Sequence, residues 1–159
     1  MIKAFVPTPV GVILIQEDGR QLVSLRILAV GEGVPESIGP PAAGTLAGEA
    51  ARQLTTYFET GPLQFDLPLR AAASPRGEAL RRAIAAIPVG ETLSYGAVAR
   101  MAGSAPRAVG QACARNPFPI VIPCHRVVGS GGAIGHYSGA SGVVTKLWLL
   151  NHERGGVPR

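Results

Sequence analysis

The spacing of hydrophobic and polar positions changes period several times along the chain, and each change marks an element. Residues 2–15 are apolar and rich in β-formers, interrupted by Pro7, Pro9 and Gly11. Glu17-Asp18-Gly19-Arg20 carries a hairpin-turn signal, so Gln21 to Val30 reads as the returning strand. Gly31 to Gly44 is rich in Gly and Pro and reads as a loop. From Thr45 to Thr60 the period lengthens: Leu46, Ala50, Gln53-Leu54 and Tyr57-Phe58 recur at helical spacing. Gly61-Pro62 stops that helix, and Leu63 to Leu67 alternates as a short strand. Glu17, Asp18, Glu32 and Glu36 fall in turns or loops and are expected to be solvated. This half contains no catalytic constellation.

The second half reads as mainly helical. Ala71-Ala72-Ala73-Ser74-Pro75 marks a boundary, with Ser74 as N-cap and Pro75 at the first helical position. A helix follows to Ala86, with Leu80, Ala83, Ile84 and Ile87 on one face, and Pro88-Val89-Gly90 ends it. Thr92 to Gly96 leads into a short helix through Met101. Ala102-Gly103-Ser104 then turns the chain, and Ser104 is placed to cap a second helix from Ala105 or Pro106 to about Ala114. Two short helices around a tight Gly-containing turn read as a helix-turn-helix, a weak signal alone because many helical hairpins bind nothing. Val143 to Glu153 is a closing helix with Val144, Leu147, Trp148 and Leu150 packing inward, and Arg154 to Arg159 a frayed tail. The expected fold class is α+β: a small N-terminal β-sheet/helix domain (1–73) and a mainly helical C-terminal domain with the helix-turn-helix (74–159).

Composition narrows the picture. With 159 residues and 47% hydrophobic content the chain can build a real core in one or two small domains. No signal-peptide pattern opens it, and no apolar run is long enough for a transmembrane helix, so a cytoplasmic protein without membrane contact is expected. The two cysteines, Cys113 and Cys124, favour a reduced, intracellular setting over a disulfide. Both cysteines and all three histidines lie after residue 110, so the first half lacks the means for a His/Cys metal site. Charge is split: residues 1–74 carry five basic and seven acidic side chains, residues 75–159 ten basic and three acidic. A basic half suggests nucleic acid, and a surface kept basic for solubility is an equal reading.

The candidate chemistry sits at Pro123-Cys124-His125-Arg126, behind Asn116-Pro117-Phe118-Pro119-Ile120-Val121-Ile122. Prolines 117, 119 and 123 fix φ at three points and favour extended neighbours, presenting Cys124 on a stiff interior segment. A thiolate nucleophile needs a base and a group to orient that base. His125 is the adjacent imidazole. Neighbouring side chains on an extended strand point opposite ways, so contact with Cys124 needs a bend or a bridging water. Glu153, one of three acids in the basic half, can orient His125. The competing readings are a packed, inert cysteine and a solvated helix-end glutamate. The Gly-rich loop Gly129 to Gly142 lacks the lysine of a phosphate cradle but can fold closely around a flat ligand.

In order along residues 76–154, Arg107-Ala108-Val109-Gly110, Asn116-Pro117, Ile122-Pro123-Cys124-His125-Arg126-Val127-Val128, Tyr137-Ser138-Gly139 and Trp148-Leu149-Leu150-Asn151-His152-Glu153 resemble the O6-alkylguanine-DNA alkyltransferase family. The N-terminal half matches only in length and strand–helix character. The resemblance implies direct-reversal repair of duplex DNA: an alkyl group on guanine O6, and on thymine O4, passes irreversibly to Cys124. The transfer is single-turnover, needs no cofactor and acts on a flipped-out base. It implies that His125 is the base acting through water, polarised by Glu153. Tyr95 helps protonate the departing base, Asn116 braces the active-site turns, and Ser138 with nearby amides donates to O6. The carbonyls of Cys124 and Val127 accept from the exocyclic amine. Arg107 is the finger that fills the vacated stack, and Ala108, Gly110, Arg115 and Tyr95 face DNA. Cys113, Val127, Tyr137, Ser138 and Lys146 belong to the substrate pocket. For Lys146 a solvated helix lysine is an equal reading. The expected partner is double-stranded DNA carrying O6-alkylguanine, bound by a monomer.

His136 precedes Tyr137 in a lid position that varies in the family, and three features depart from the family pattern. Cys113 stands where a methionine or another apolar residue is common. Ala140-Ser141-Gly142 makes the turn before the last helix about two residues longer. The N-terminal zinc site of some members has no ligands here. A non-enzymatic, alkyltransferase-like damage-binding protein is the main alternative, and the presence of Cys124 counts against it. A cysteine hydrolase would need an oxyanion-hole pattern, and the sequence displays none.

Overall fold

The computed structural model describes residues 1–61 and 64–155. The chain divides into two compact units, one of Met1–Arg70 with Gly139–Ser141, the other of Ala71–Ser138 with the chain from Gly142 onward.

In the first unit three antiparallel strands, β1 (Ile2–Thr8), β2 (Gly11–Glu17) and β3 (Leu22–Ile27), pair in sequence order. The apolar stretch 2–15 is thus two strands joined at Pro9-Val10, and the returning strand ends at Ile27, short of Val30. Register places Val6 opposite Ile13 and Ile13 opposite Ile27, with Ala4, Ile15 and Leu25 in the neighbouring row. These alternate positions are all buried, so one face of the sheet forms the core. Helix α1 (Leu46–Glu59) contributes Ala47, Ala50, Ala51, Leu54 and Tyr57 to the unit's buried set, and its N-cap Thr45 accepts from the Gly48 N–H.

Two expectations for this unit are corrected. Glu17 is not solvated: it is buried, and its carboxylate accepts the Ala47 N–H at the first turn of α1, stapling sheet to helix. The strand expected at Leu63–Leu67 does not form over residues 64–67, and Leu63 lies outside the described residues. Burial alternates there as a strand's would, but among the described residues the only ladder partner is Leu22, which pairs with Leu69 through the Pro68 and Arg70 main chains. Pro68 has no N–H to extend the ladder.

The second unit holds α2 (Pro75–Ala85), β4 (Leu93–Ser94), α3 (Tyr95–Ala102), α4 (Pro106–Ala114), β5 (Val127–Val128) and α5 (Val143–Glu153). Ser74 caps α2 by accepting from Gly77 N–H, and Leu80, Ala83, Ile84 and Ile87 are buried as the pattern requires. Gly103 ends α3 in the left-handed region (φ 62°), and Ser104 N–H closes back on Ala99 O at 2.8 Å, which makes the turn of the helix-turn-helix. Ser104 does not cap α4. Ala105 holds that position without a side-chain hydrogen bond, and its carbonyl accepts from Ala108 and Val109.

The inward face of α5 is also corrected. Val144 is 69% and Leu147 46% exposed, Trp148 is partly exposed, and the buried stripe is Thr145, Lys146, Leu149, Leu150 and Glu153. That stripe keeps helical spacing, but it carries a lysine and a glutamate, so hydrophobicity alone selects the wrong side.

Candidate active site

The two-residue strands β4 and β5 run parallel, with Leu93 opposite Val127 and Ser94 opposite Val128. Ser94 is also the N-cap of α3, accepting from Ala97 N–H, so Tyr95 enters its helix from a fixed point. Cys124 lies three residues before β5. The pairing therefore brings the start of α3 to the segment that carries the thiol.

That segment is not extended. Cys124–Arg126 is a single 3-10 turn, the bend that an adjacent Cys and His require. Before it, Phe118 O accepts from Ile122 N–H at 2.9 Å, and Ile120 sits at φ 74° while fully buried. A β-branched residue in the left-handed region is strained, and such strain persists only where the surroundings enforce it.

Cys124 is 4% exposed. Asn116 Nδ2 donates to its sulfur at 3.2 Å and to Ile122 O at 2.8 Å, while Asn116 Oδ1 accepts from Phe118 N–H at 2.9 Å. Burial pushes the thiol up from its ordinary value. The Asn116 amide, the Lys146 charge and the amides of Cys124 and His125 oppose that shift, because each favours the thiolate.

Beneath the turn lies a buried ionic layer. Glu153 accepts from His125 Nε2 (2.8 Å), Arg126 Nε (2.7 Å) and Arg126 Nη2 (3.0 Å), and Arg126 Nη1 also reaches Ile87 O at 2.7 Å. The competing reading of Glu153 as a solvated helix end is thereby overturned. Burial lowers the His125 pKa, against the opposing pull of Glu153, so the ring is neutral. Its Nε2 faces a carboxylate and must carry the proton. Nδ1 is then the bare lone pair, and it is buried with no hydrogen-bond partner among the described residues. A neutral imidazole with a free lone pair, oriented by a carboxylate, is equipped to act as a base.

The sulfur opens onto a cavity of about 130 Å3 walled by Tyr95, Gly110, Cys113, Ala114, Cys124, His136, Tyr137 and Ser138. Three elements thus converge: the start of α3, one side of α4 and the tip of the Gly-rich loop. Gly135, at φ 74°, lies so close to Tyr95 that an added Cβ would stand 3.3 Å from Tyr95 Oη. Burial raises the Tyr95 hydroxyl pKa and pushes the Cys113 thiol up to about 12, leaving Cys113 a protonated, inert wall. The Tyr137 hydroxyl is buried without a hydrogen-bond partner among the described residues.

Val127 and Lys146 do not line this cavity. Lys146 is fully buried, not solvated, and its Nζ donates to Val127 O at 2.7 Å and to His136 O at 3.3 Å. It ties the strand after Cys124 to the loop wall, and one lone pair of the Val127 carbonyl is already engaged. Arg107 on α4 and Arg115 at its C-cap are exposed and Ala108 is partly buried, while an added Cβ at Gly110 would meet nothing within 4 Å. Among the described residues no group of three or more His, Cys, Asp or Glu side chains is placed to hold a metal ion, and no helix is long and apolar enough to cross a membrane.

Sequence reasoning gave Arg126 no role and missed the wall formed by Ala114, while His136, expected in a lid position, does line the cavity. Arg126 had a signal: a guanidinium inside the apolar run from Ile120 to Val128 must find an anion, and few acids lie in that half.

Two family models match: the DNA-binding domain of 6-O-methylguanine DNA methyltransferase over residues 76–155, and the ribonuclease-like domain of the same family over residues 1–71. The chain is 41% identical over 142 residues to the methylated-DNA–protein-cysteine methyltransferase of Mus musculus, covering 84% of this chain and 62% of that relative's length. Against the enzyme of that name from Mycobacterium tuberculosis it is 34% identical over 155 residues, covering 96% of this chain and 92% of the relative. The crystal structure of M. tuberculosis OGT in complex with DNA superposes with a TM-score of 0.81 at 33% identity, over 96% of this chain and 93% of that one. With a buried Cys-His-Glu constellation and family matches across both halves, this chain belongs to the 6-O-methylguanine DNA methyltransferase family.

Proposed function

We propose that this protein is a methylated-DNA–protein-cysteine S-methyltransferase that repairs duplex DNA by direct reversal. Each molecule moves one alkyl group from guanine O6, or thymine O4, to Cys124 and is thereby spent. The observation that carries this reading is Cys124 itself: a buried thiol with an amide donor on its sulfur, above a neutral His125 held by Glu153, at the floor of a cavity. The relatives' names and the DNA-bound structure of the mycobacterial protein support it.

Displacement at an alkyl carbon needs charge on sulfur and relief of charge on the departing base. His125 takes the Cys124 proton through its free Nδ1, by way of a water, and Glu153 stabilises the imidazolium that forms. The new carbon–sulfur bond forms as the bond to O6 breaks. The guanine leaves protonated with help from the Tyr95 phenol, while Ser138 and nearby amides donate to O6. Asn116 holds the two turns and the sulfur in register. Lys146 supplies a cation close behind them, which also favours the thiolate. Tyr137 and Cys113 wall the pocket.

The base is inside a duplex and must be swung out. In this reading α4 enters the minor groove, where Ala108 and Gly110 allow close approach, Arg107 fills the vacated stack and Arg115 meets the backbone. The protein acts as a monomer in the cytoplasm, where reducing conditions keep Cys113 and Cys124 as thiols. A damage-binding protein without transfer activity would have no use for the polarised Cys124.

Incubation with a duplex containing O6-methylguanine, followed by peptide mass spectrometry, should place one methyl on the Cys124 peptide and none on the Cys113 peptide. Cys124→Ser should remain unmodified. Multiple turnovers with methyl release, or an unmodified Cys124, would refute the proposal.

A further inference from the structure

Asn116 Nδ2 is the side-chain donor on the Cys124 sulfur, and its aim is not set by packing alone. On another side Asn116 borders a cleft of about 370 Å3, shared with Arg81, Arg115, Pro117 and Ile122. What fixes the amide is the Phe118 N–H: by donating to Oδ1 at 2.9 Å it commits Nδ2 to Ile122 O and the sulfur. Phe118 is fully buried, and Arg81 lies over its ring, with Cζ 5.4 Å from the centroid. Arg81 is in turn held from α2. Its Nη1 donates to Glu78 Oε1 at 3.2 Å, and Glu78 also accepts the Ala72 N–H. Only 16% of its side chain is exposed, a setting in which a cation on an aromatic face is worth more than at the open surface.

We propose that Arg81 is a positioning residue for Cys124: its guanidinium clamps the Phe118 ring, and through the Phe118 N–H it keeps the Asn116 amide on the sulfur. This rests on Cys124 being the alkyl acceptor and adds a residue on α2 that never touches the substrate. Without the clamp the 116–118 turn relaxes toward the cleft, the amide leaves the sulfur, and the thiolate loses a hydrogen bond. Thiol reactivity at neutral pH then falls, and higher pH restores it.

The test reads the thiol without DNA. Iodoacetamide labelling of Cys124, resolved from Cys113 by peptide mass spectrometry, is followed from neutral to alkaline pH in wild type, Arg81→Met, Arg81→Lys, Asn116→Ala and the Arg81→Met/Asn116→Ala double variant. Arg81→Met should slow neutral-pH labelling roughly tenfold, the equivalent of one pH unit, and move the profile to higher pH. Arg81→Lys keeps a cation over the ring and should recover most of the rate. The double variant should be no slower than Asn116→Ala alone, because both changes act on one hydrogen bond. Phe118→Leu removes the ring and leaves Arg81, so it should reproduce the shift even if Arg81→Met fails to fold. A wild-type profile in Arg81→Met or Phe118→Leu, or additive losses in the double variant, would overturn the proposal. Failure of wild-type protein to take methyl from DNA would remove the repair reading while leaving these profiles unchanged.

Discussion

His125 is buried, neutral and held by a carboxylate, and this has a consequence for stability as well as chemistry. Its folded pKa lies below the ordinary histidine value because burial disfavours the charged ring. The unfolded chain takes up a proton as pH falls through about 6.5, while the folded ring does not. The unfolded state then binds more protons, so stability drops as pH falls below that point and is unaffected above it. Urea midpoints at neutral and mildly acidic pH should therefore differ in wild type, and His125→Gln should show a smaller difference over the same interval. Lys146 follows the same logic. Burial lowers its pKa, and negative charge on the Cys113 or Cys124 sulfur opposes that shift. A cation held near the sulfur by two carbonyls lowers the work of making a thiolate there.

At the level of elements, the most informative departure concerns α5. Its sequence offers Val144, Leu147 and Trp148 as an apolar stripe, yet the helix turns Lys146 and Glu153 inward. Two charges outweigh two aliphatic side chains because each meets complete partners: carbonyls for the lysine, His125 and Arg126 for the glutamate. Periodicity weighs hydrophobicity and has no knowledge of such partners. The Cys-His pair and Glu153 were legible as residue types, and the helix-turn-helix as spacing. The 3-10 turn, the β4–β5 pairing and the inward lysine were not, since each depends on contacts between segments distant in sequence. Glu17 repeats the lesson in the first unit, where a supposed turn acid serves as a second cap for α1. Glu17→Ala leaves the buried Ala47 N–H unpaired and should cost about 1–3 kcal/mol, read as a lower urea midpoint with an unchanged slope. A wild-type midpoint would mean that the contact contributes nothing.

Across the whole molecule, charge and chemistry segregate together. The basic excess lies after residue 74, on the same stretch as the thiol and the exposed arginines Arg107 and Arg115 at the two ends of α4. Binding to duplex DNA should therefore weaken steeply with salt. Arg115→Ala should reduce the slope of log affinity against log salt by about one, the mark of a single phosphate contact. If Arg107 is the finger proposed above, Arg107→Ala should slow repair of duplex far more than attack on a free alkylated base, because a residue that fills a vacated stack matters only in a stacked helix. Anisotropy titrations at several salt concentrations and paired rate assays measure these effects, and equal losses on both substrates would remove the finger.

Ile120 bears on the fate of the spent protein. A branched side chain locked at positive φ between prolines leaves the nucleophile's loop with no easy alternative shape. Such a loop cannot give way when sulfur gains carbon atoms. The added bulk must be taken up on the α4 side of the cavity, at Gly110, Cys113 and Ala114, where side chains are small. Larger adducts should thus be felt first as displacement of that softer rim, while the base of the site keeps its form.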